Sequence, residues 1–353
     1  MNHVQPIDVA VLGATGAVGQ RFIQLLEGHP WFRVAEVVAS DRSAGQPYGQ
    51  AVRWVLPGNP PEGVAAREVL PLDADVQSRI VFSALPGDIA KTVEWRLAEA
   101  GHIVCSNASA YRMQPDVPIL LPEANAEHAA LVAEQRKRYG WGGGGLATNS
   151  NCTSAPVVMA LAPLRRFGIQ AVQMVSLQAI SGGGYPGVPA LDITDNVIPF
   201  INGEEPKLET EPRKMLGALD GDHIAMLDCV MSATCTRVPV LDGHLVSVSV
   251  RFAEDVSERD LIAAWADFAG PDPVPGLPSA PARPVEYRTE PDRPQPRRDR
   301  DAGGGMATVT GRLRPCPVMG GWKFLAIAHN TVRGAAGCSI LNAELLLESG
   351  YVT

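Results

Sequence analysis

The first thirty residues contain a strand, a glycine-rich turn and a helix in direct succession. Residues 7–12 form a short apolar run typical of a buried strand, and residues 20–26 have helical periodicity. The turn between them carries Gly13, Gly16 and Gly19 at G-x-x-G-x-x-G spacing. Glycines let a backbone approach a pyrophosphate, and a helix N-terminus binds an anion. This context predicts a Rossmann-type dinucleotide-binding domain, with a glycine turn that binds no nucleotide as the alternative.

Strands and helices alternate through the first part of the chain. Such alternation is typical of a mostly parallel sheet with right-handed connections. The further predicted strands are residues 34–39, 80–84 and 103–106, with 119–121 as another candidate, and a helix is predicted at 89–100. The glycine-rich segment 139–145 is the predicted domain boundary.

The pattern changes after Gln170. Residues 171–179 and 246–252 alternate apolar and polar side chains, which is typical of antiparallel strands with one buried face. Helices are predicted at 211–219 and, with amphipathic character, at 339–347. The proline- and arginine-rich segment 271–301 is predicted to be an oligomerisation arm or an ordinary surface loop. The fold class is therefore α/β, with a Rossmann-type domain followed by an α+β domain with a mixed or antiparallel sheet.

The residues after the second strand bear on the choice of cofactor. About 20 residues past the glycines, a dinucleotide-binding domain contacts the cofactor ribose. Here the chain has Ser40, Asp41, Arg42 and Ser43. An arginine beside two hydroxyls suits a 2′-phosphate, so we expect NADP. Asp41 could instead bind a bare ribose, which keeps NAD open.

Cys152 lies in a polar run that precedes a helical pattern. Ser154 is a good N-cap and Pro156 a good first-turn residue, so a helix is predicted to start here. The positive end of a helix lowers a cysteine pKa and favours the nucleophilic thiolate. The backbone N–H groups of the same turn could hold an oxyanion. An inert buried cysteine is the alternative.

A cysteine nucleophile needs an acid or base partner, and histidine is the usual one. The chain has seven histidines, and spacing alone does not choose among them: His3, His29, His102, His128, His223, His244 and His329. His244 differs from the others because Arg237 and an Asp-Gly turn lie close to it in sequence. An arginine fork suits a carboxylate.

Charge, hydropathy and cysteine spacing argue against several classes of protein. The formal net charge is −8, so we expect neither a nucleic-acid nor a membrane partner. The N-terminal residues lack the pattern of a signal peptide, and no apolar run approaches the ~20 residues of a membrane span. The six cysteines are scattered without a C-x-x-C pair, which indicates reduced thiols and no zinc site. We therefore expect a cytoplasmic protein without a metal.

Many motifs, in order along nearly the whole chain, resemble one family. They are GATGAVGQRF (13–22), ASDRSAG (39–45), FSALPGD (82–88), SNASAYRM (106–113), NSNCTS (149–154), SGGGYPGVP (181–189), DNVIPFINGEE (195–205), ATCTRVPVLDGH (233–244), DRPQPRRDRD (292–301) and HNTVRGAAG (329–337). The sequence resembles the aspartate-semialdehyde dehydrogenases of the archaeal and fungal type. One departure is Ser150, where the family usually has proline in N-P-N-C.

The resemblance implies a domain organisation and a reaction. Residues 1–150 would form the NADP-binding domain, completed by a C-terminal helix within 331–353, and residues 151–330 the catalytic and dimerisation domain. The expected reaction is the NADPH-dependent reduction of aspartyl phosphate to aspartate semialdehyde and phosphate, in a homodimer or homotetramer. A related acyl reductase, such as a malonyl-CoA reductase, is the alternative. A silent NADP-binding or redox-sensing protein is a third hypothesis.

The resemblance also implies the site residues. Cys152 would form an acyl-thioester, His244 would be the acid or base, and Gln178 would position the substrate, with Asn151 beside the nucleophile. Arg237 would bind the substrate carboxylate and Glu204 its amino group, with Glu205 as the alternative. Asn107, Arg112 and Lys207 would hold phosphate. The NADP site would be lined by Gly13, Thr15, Gly16, Ala17, Val18, Ser40, Arg42, Ser43, Gly183 and Asn330.

Overall fold

The computed structural model describes residues 5–352. The first part of the chain forms a six-stranded parallel sheet with the strand order β3-β2-β1-β4-β5-β6. Its strands are β1 (Ile7–Leu12), β2 (Phe32–Val38), β3 (Val69–Leu70), β4 (Ile80–Ser83), β5 (Ile103–Ser106) and β6 (Gly145–Thr148). This order is that of a Rossmann-type sheet, so the predicted architecture of the first part is confirmed.

Helices cover both faces of this sheet. They are α1 (Ala17–Leu25), α2 (Tyr48–Ala51), α3 (Glu62–Ala65), α4 (Gly87–Glu99), α5 (Pro122–Asn125) and α6 (Leu131–Tyr139). On one face Phe22 stacks on Phe82 with ring centroids 5.0 Å apart, and on the other Leu97 and Trp141 are buried. Apolar side chains on both sides explain why the strands are almost continuously hydrophobic.

The second sheet is mixed, with the strand order β10-β7-β11-β14-β13-β12. Its strands are β7 (Ile169–Gln178), β10 (Val230–Arg237), β11 (His244–Phe252), β12 (Val285–Arg288), β13 (Thr308–Cys316) and β14 (Gly321–Ala328), while β8 (Ala218–Asp220) and β9 (His223–Ala225) form a small separate pair. The helices of this part are α7 (Ser154–Leu161), α8 (Ala190–Ile193), α9 (Glu204–Met215), α10 (Glu258–Ala266) and α11 (Pro296–Asp299). The predicted α+β part with a mixed sheet is confirmed.

One face of the second sheet is covered and the other is open. The inward residues of β7 and β11, such as Met174 and Val248, pack with the fully buried α7. The outward residues are less buried: Val175 is 39% exposed, and Leu177, Leu245 and Leu325 are half-buried. Leu177 lies opposite Leu245 in the antiparallel register. An apolar row on an open sheet face is available for contact with another protein surface.

The final helix, α12 (Gly337–Glu348), returns to the first sheet. Ile340, Leu341 and Leu345 are buried in the core that contains Phe22 and Phe82. The prediction of an amphipathic final helix is wrong, because residues 337–346 are buried on every side. A helix that is surrounded by other parts of the chain has no side in contact with solvent, so it needs no polar face.

Three other expectations differ from the structure. The helix predicted at 211–219 begins at Glu204, because Pro206 falls in the first turn, where a backbone N–H is not needed. Residues 119–121 form only a single bridge, from Ile119 to Thr148. The segment 271–301 packs on its own chain: it supplies the edge strand β12, and it buries Val274 and Leu277 in the first core.

Within residues 5–352, no helix combines the length and the apolar character that crossing a bilayer would need.

Candidate active site

A cavity of about 870 Å³ lies between the two sheets, where one end of the first sheet faces one end of the second. Its walls come from the start of α1, the loop after β5, the ends of β7 and β10, the loop 180–187, the start of α9 and residues 330–335. Twelve of the predicted site residues line it: Ala17, Val18, Asn107, Arg112, Asn151, Cys152, Gln178, Gly183, Glu204, Lys207, Arg237 and Asn330. Residues far apart in sequence therefore meet in one place.

Cys152 lies between the end of β6 and the start of α7. The Oδ1 atom of Asn151 accepts a hydrogen bond from the Thr153 N–H at 2.8 Å, which closes the turn around the cysteine. The prediction that Ser154 is the N-cap is wrong: Ser154 is already helical, and Thr153 precedes it as the cap residue. An asparagine side chain that bonds the N–H two residues on sets this turn.

The pKa of Cys152 is also different from the expectation. The residue is partly exposed at the cavity, yet desolvation raises the pKa of its thiol to about 12, and the negative charge of Glu204 adds to the increase. Arg112 and Arg237 oppose it but do not outweigh it. Loss of hydration at the thiol therefore exceeds the opposing effect of the two arginines, and in this structure Cys152 is a neutral thiol.

Three predicted residues occupy one end of the second sheet. Gln178 and Arg237 are paired at the last positions of the parallel strands β7 and β10, and His244 is the first residue of the antiparallel strand β11. A Cβ on Gly182 would lie 2.8 Å from Arg237 Nη1 and 2.9 Å from His244 Nε2. Only a glycine lets the loop 180–184 pass this close to both side chains.

His244 is fully buried, and one ring nitrogen is engaged. Its Nδ1 accepts a hydrogen bond from the Ala179 N–H at 3.0 Å, while Nε2 has no partner within residues 5–352. Burial and the charge of Arg237 lower the pKa of His244 to about 3. The ring is therefore neutral, and because Nδ1 is an acceptor its proton resides on Nε2. His244 therefore carries a hydrogen-bond donor at Nε2, which lies behind Gly182 of the cavity wall rather than in the lining itself.

One face of α9 supplies charge to the cavity. Glu204 accepts hydrogen bonds from Asn151 Nδ2 at 2.8 Å and from Lys207 Nζ at 2.9 Å. Glu205, the alternative to Glu204, instead accepts from the Cys235 N–H at 3.1 Å and does not line the cavity. Residues three apart lie on the same helix face, so Glu204 and Lys207 enter the site together.

Arg112 reaches the same cavity from the first sheet. Its Nη1 bonds Glu211 at 3.0 Å and its Nη2 donates to the Asn107 carbonyl at 2.8 Å. Its buried Nε has no partner within the described part of the chain. Two cations, Arg112 and Lys207, thus border the cavity near Cys152, an arrangement suited to an anionic group.

The predicted cofactor residues divide into two groups. Gly13 has a φ of +69°, and a Cβ there would lie 2.7 Å from the Ala84 carbonyl oxygen, so the turn needs glycine. Thr15, Gly16, Ala17 and Val18 continue that turn into α1. Residues 40–43 form the turn after β2, with Ser43 N–H bonded to the Ser40 carbonyl at 2.8 Å, and Arg42 lies there without lining the cavity. Since β1 and β2 are adjacent and parallel, both turns lie at the same edge, as a bound dinucleotide requires.

Amide side chains connect the walls of the cavity. Asn330 donates to Ser181 Oγ and accepts from the Gly243 N–H, each at 2.8 Å. Asn107 accepts from Asn149 Nδ2 at 2.8 Å. These contacts link the predicted cofactor and phosphate residues to the loops around Cys152.

Several residues at the site were missed by sequence reasoning. Glu211 bonds Arg112 and also accepts from the Asn151 N–H at 2.6 Å. Lys214 donates to the carbonyls of Arg112, Gln114 and Val117 and so holds the loop that carries Arg112. Both lie on α9, whose start was predicted seven residues late; a helix from Glu204 would have placed Glu211 on the face of Glu204 and Lys207. Gly334, within the quoted HNTVRGAAG motif, contacts Cys152.

Of the remaining histidines, His329 lies next to the site, beside Asn330 and close to His244, and the others within the described residues lie away from it. His29 bonds Glu344, His102 the Ser78 carbonyl and His128 the Gly217 carbonyl, while His223 contacts Asp222 and His329 contacts Thr331. His3 lies outside the described residues. Within residues 5–352, no group of three or more His, Cys, Asp or Glu side chains is placed to hold a metal ion.

Comparison with known proteins places this geometry in a family. Residues 8–132 match the model for the semialdehyde dehydrogenase NAD binding domain, and residues 161–333 match the semialdehyde dehydrogenase dimerisation domain. The aspartate-semialdehyde dehydrogenase of Archaeoglobus fulgidus is 51% identical over 98% of this chain and 99% of its own length. The chain belongs to the aspartate-semialdehyde dehydrogenase family.

Other members of the aspartate-semialdehyde dehydrogenase family agree in sequence and fold. The relative from Methanothermobacter thermautotrophicus is 47% identical over 97% of this chain and 99% of its own length. The crystal structure of the Candida albicans enzyme with NADP superposes with a TM-score of 0.90 at 37% identity, covering 99% of this chain and all of that one. The expected resemblance and the α/β fold are confirmed.

The raised pKa of Cys152 generates a prediction about its reactivity. Glu204→Gln removes a negative charge beside the thiol, so the pKa of Cys152 falls and more thiolate is present at a given pH. We expect the rate of iodoacetamide alkylation of Cys152 at pH 8, followed by peptide mass spectrometry, to rise roughly threefold or more. Glu205→Gln is the matched control and should leave the rate unchanged. A Glu204→Gln rate equal to that of the wild type would contradict the charge assignment.

Proposed function

We propose that the protein catalyses the NADPH-dependent reductive dephosphorylation of L-aspartyl-4-phosphate to L-aspartate-4-semialdehyde and phosphate. The observation that carries this proposal is a partly exposed Cys152 between two arginines from opposite walls of the cavity, Arg237 and Arg112. A substrate with a carboxylate at one end and a phosphate at the other matches this distribution of charge. Relatives that carry the enzyme's name over nearly their whole length support the same reaction.

The cavity has a group for each part of the substrate. Arg237 binds the α-carboxylate, and Glu204 accepts a hydrogen bond from the α-ammonium group. Arg112, Lys207 and Asn107 bind the phosphate. Gln178, which is 1% exposed and donates to Ser176 Oγ at 3.2 Å, positions the acyl group with Asn151 beside the nucleophile.

Phosphate leaves when the sulfur of Cys152 bonds to the acyl carbon. The C–O bond to the phosphate breaks, and the phosphate departs with the electron pair and the thiol proton. The trianionic phosphate that this cleavage would release is a strong base, so it leaves as hydrogen phosphate with that proton. His244 does not have to remove it, since its Nδ1 is occupied by the Ala179 N–H and its Nε2 already carries hydrogen.

His244 acts as a hydrogen-bond donor to the acyl oxygen. That oxygen gains negative charge when the thioester is reduced, and a donor already in place stabilises the charge. The C–S bond then breaks, which releases the aldehyde and a thiolate, and the thiolate takes a proton from solvent to restore the thiol of Cys152. Because the pKa of His244 is about 3, the ring stays neutral through the pH range near neutrality.

The residues of the glycine turn suit NADP, which when bound supplies the hydride for the thioester. Gly13, Thr15, Gly16, Ala17 and Val18 would hold the pyrophosphate at the start of α1. Ser40, Arg42 and Ser43 would bind the 2′-phosphate at the same sheet edge. Gly183 and Asn330 line the cavity beside Cys152, where the nicotinamide must lie.

A single assay tests this proposal. NADPH formation from aspartate semialdehyde and NADP should require phosphate, and Cys152→Ala should abolish turnover while NADP still binds by calorimetry. The loss follows because no other side chain at that position can form the thioester. Turnover retained by Cys152→Ala would exclude the mechanism. Turnover of malonyl-CoA with NADPH, and none with phosphate, would move the function to the alternative reductase.

We also propose a domain division at 150 and 330, with residues 331–353 returning to the first domain. The two separate sheets and the burial of α12 in the first core support it. A cytoplasmic location is supported by six cysteines that are all free thiols.

The open face of the second sheet is proposed to join two copies of the chain. The match to a dimerisation domain covers this sheet. Two copies of the chain related by a two-fold axis would bring apolar side chains of one row against those of the other, from Val175, Leu177, Leu245 and Leu325. Light scattering at micromolar concentration should show a dimer or tetramer, and Leu325→Glu should shift it towards monomer because a buried unpaired charge is costly. A wild-type monomer would contradict this proposal.

A further inference from the structure

Arg333 and Glu123 form an ion pair that is wholly shielded from solvent. Both side chains have an exposed fraction of 0%. The guanidinium bonds the carboxylate at two points, Nη1 to Oε1 at 2.8 Å and Nη2 to Oε2 at 2.6 Å. The same Nη2 lies 3.0 Å from the sulfur of Met159. None of the three residues lines the cavity.

The pair joins three elements that surround the nucleophile. Arg333 lies in the single π-helical turn Val332–Ala336, which precedes α12. Glu123 lies in the short helix α5, and Met159 lies in α7, the helix that begins two residues after Cys152. The turn Val332–Ala336 is therefore held from the side away from the cavity.

The other side of this turn packs against Cys152. A Cβ on Gly334 would lie 2.7 Å from Cys152 Cβ and 2.9 Å from its Cα, so the glycine backbone is in direct contact with the cysteine. The next carbonyl, of Ala335, accepts from Asn149 Nδ2 at 2.5 Å, three residues before the nucleophile. Asn342 of α12 donates to Asn149 Oδ1 at 2.7 Å. The turn thus contacts both the nucleophile and the strand end before it.

A buried ion pair of this kind does little for overall stability. Removing two charges from water is costly, and replacement of a buried pair by apolar side chains of similar volume is often neutral or stabilising. Removal of one partner alone is strongly destabilising, since an unpaired charge remains buried. We therefore expect this ion pair to matter for the local geometry that it fixes rather than for the free energy of unfolding.

We propose that Glu123 and Arg333 are positioning residues for the nucleophile. Their bidentate contact fixes the turn Val332–Ala336, and through Gly334 this turn fixes the place of Cys152 at the cavity. The inference rests on the proposed function only in that Cys152 is the reacting residue.

The double variant Glu123→Leu/Arg333→Met tests this inference, because it removes both charges at similar volume. We expect its unfolding midpoint to stay close to that of the wild type. Its kcat should fall by about tenfold to a hundredfold, since small displacements of a reacting group cost that much. KM for phosphate should change little, because Arg112 and Lys207 are untouched.

Alkylation of Cys152 by iodoacetamide gives a readout without substrate. When the turn no longer covers the cysteine, the thiol is better hydrated, so alkylation at pH 8 should become faster while kcat falls. Because an unfolded fraction would change both rates in the same directions, the comparison is made under conditions where the unfolding midpoint shows the variant to be folded. Because alkylation needs no turnover, failure of the proposed reaction and failure of this inference are distinguishable.

Glu344→Gln is the matched control. Glu344 is a fully buried carboxylate of α12, the helix that follows this turn, but it bonds His29 and Ser279 rather than the turn at Cys152. It should leave kcat and the alkylation rate unchanged. A folded double variant with wild-type kcat and wild-type alkylation would overturn the inference.

If the double variant does not fold, two more conservative substitutions test the inference in its place. Arg333→Lys keeps the charge but loses the two-point contact, and Gly334→Ala keeps the ion pair but moves the turn away from Cys152. A lower kcat at nearly unchanged KM in both supports the inference. Wild-type kcat in both overturns it.

Discussion

The carboxylate of Glu211 connects the parts of the molecule that form the site. One oxygen accepts from Arg112, which belongs to the first sheet, and the other accepts from the backbone N–H of Asn151 beside the nucleophile. Glu211 itself lies on α9, which packs on the second sheet. Glu211 therefore fixes the position of the Arg112 wall of the cavity directly against the backbone beside the nucleophile. Its burial makes both hydrogen bonds strong, since water does not compete for the charge.

Charge around Cys152 is balanced rather than simply positive. Two arginines favour the thiolate, while desolvation and Glu204 oppose it and raise the pKa of the thiol to about 12. The nucleophile is therefore a thiol in this structure. An ammonium group at Glu204 would reduce the negative charge that disfavours the thiolate. Such coupling would link activation of the nucleophile to the binding of a substrate that carries this group.

Much of the fold was predictable from local patterns. The strand at 103–106 was predicted with the bounds that the structure has, and the apolar runs of the first sheet identify it because both of its faces are covered. The character of α12 was not predictable, since its burial depends on a return to a sheet more than 180 residues away in sequence. The start of α9 was missed because proline is read as a breaker unless its place in the first turn is known.

Some features of the site were also predictable from the sequence, and others were not. The residue types themselves indicate the chemistry of Cys152, His244 and Arg237. These residues also lie in motifs that follow the order typical of the family. The pKa of Cys152 was expected to be lowered because the helix N-terminus is visible in sequence, whereas desolvation is a property of the packed structure. The correct start of α9 would have placed Glu211 on the face of Glu204 and Lys207, but its contact with Asn151 spans 60 residues of sequence and that of Gly334 with Cys152 spans 182, so neither partner is visible in a local pattern.

The thioester mechanism is tested most directly by intact-protein mass spectrometry after mixing the enzyme with aspartate semialdehyde and NADP in the absence of phosphate. We expect one acyl group bound to Cys152, formed together with NADPH and released when phosphate is added. NADPH formation without an adduct, or an adduct on a different residue, would contradict the thioester mechanism.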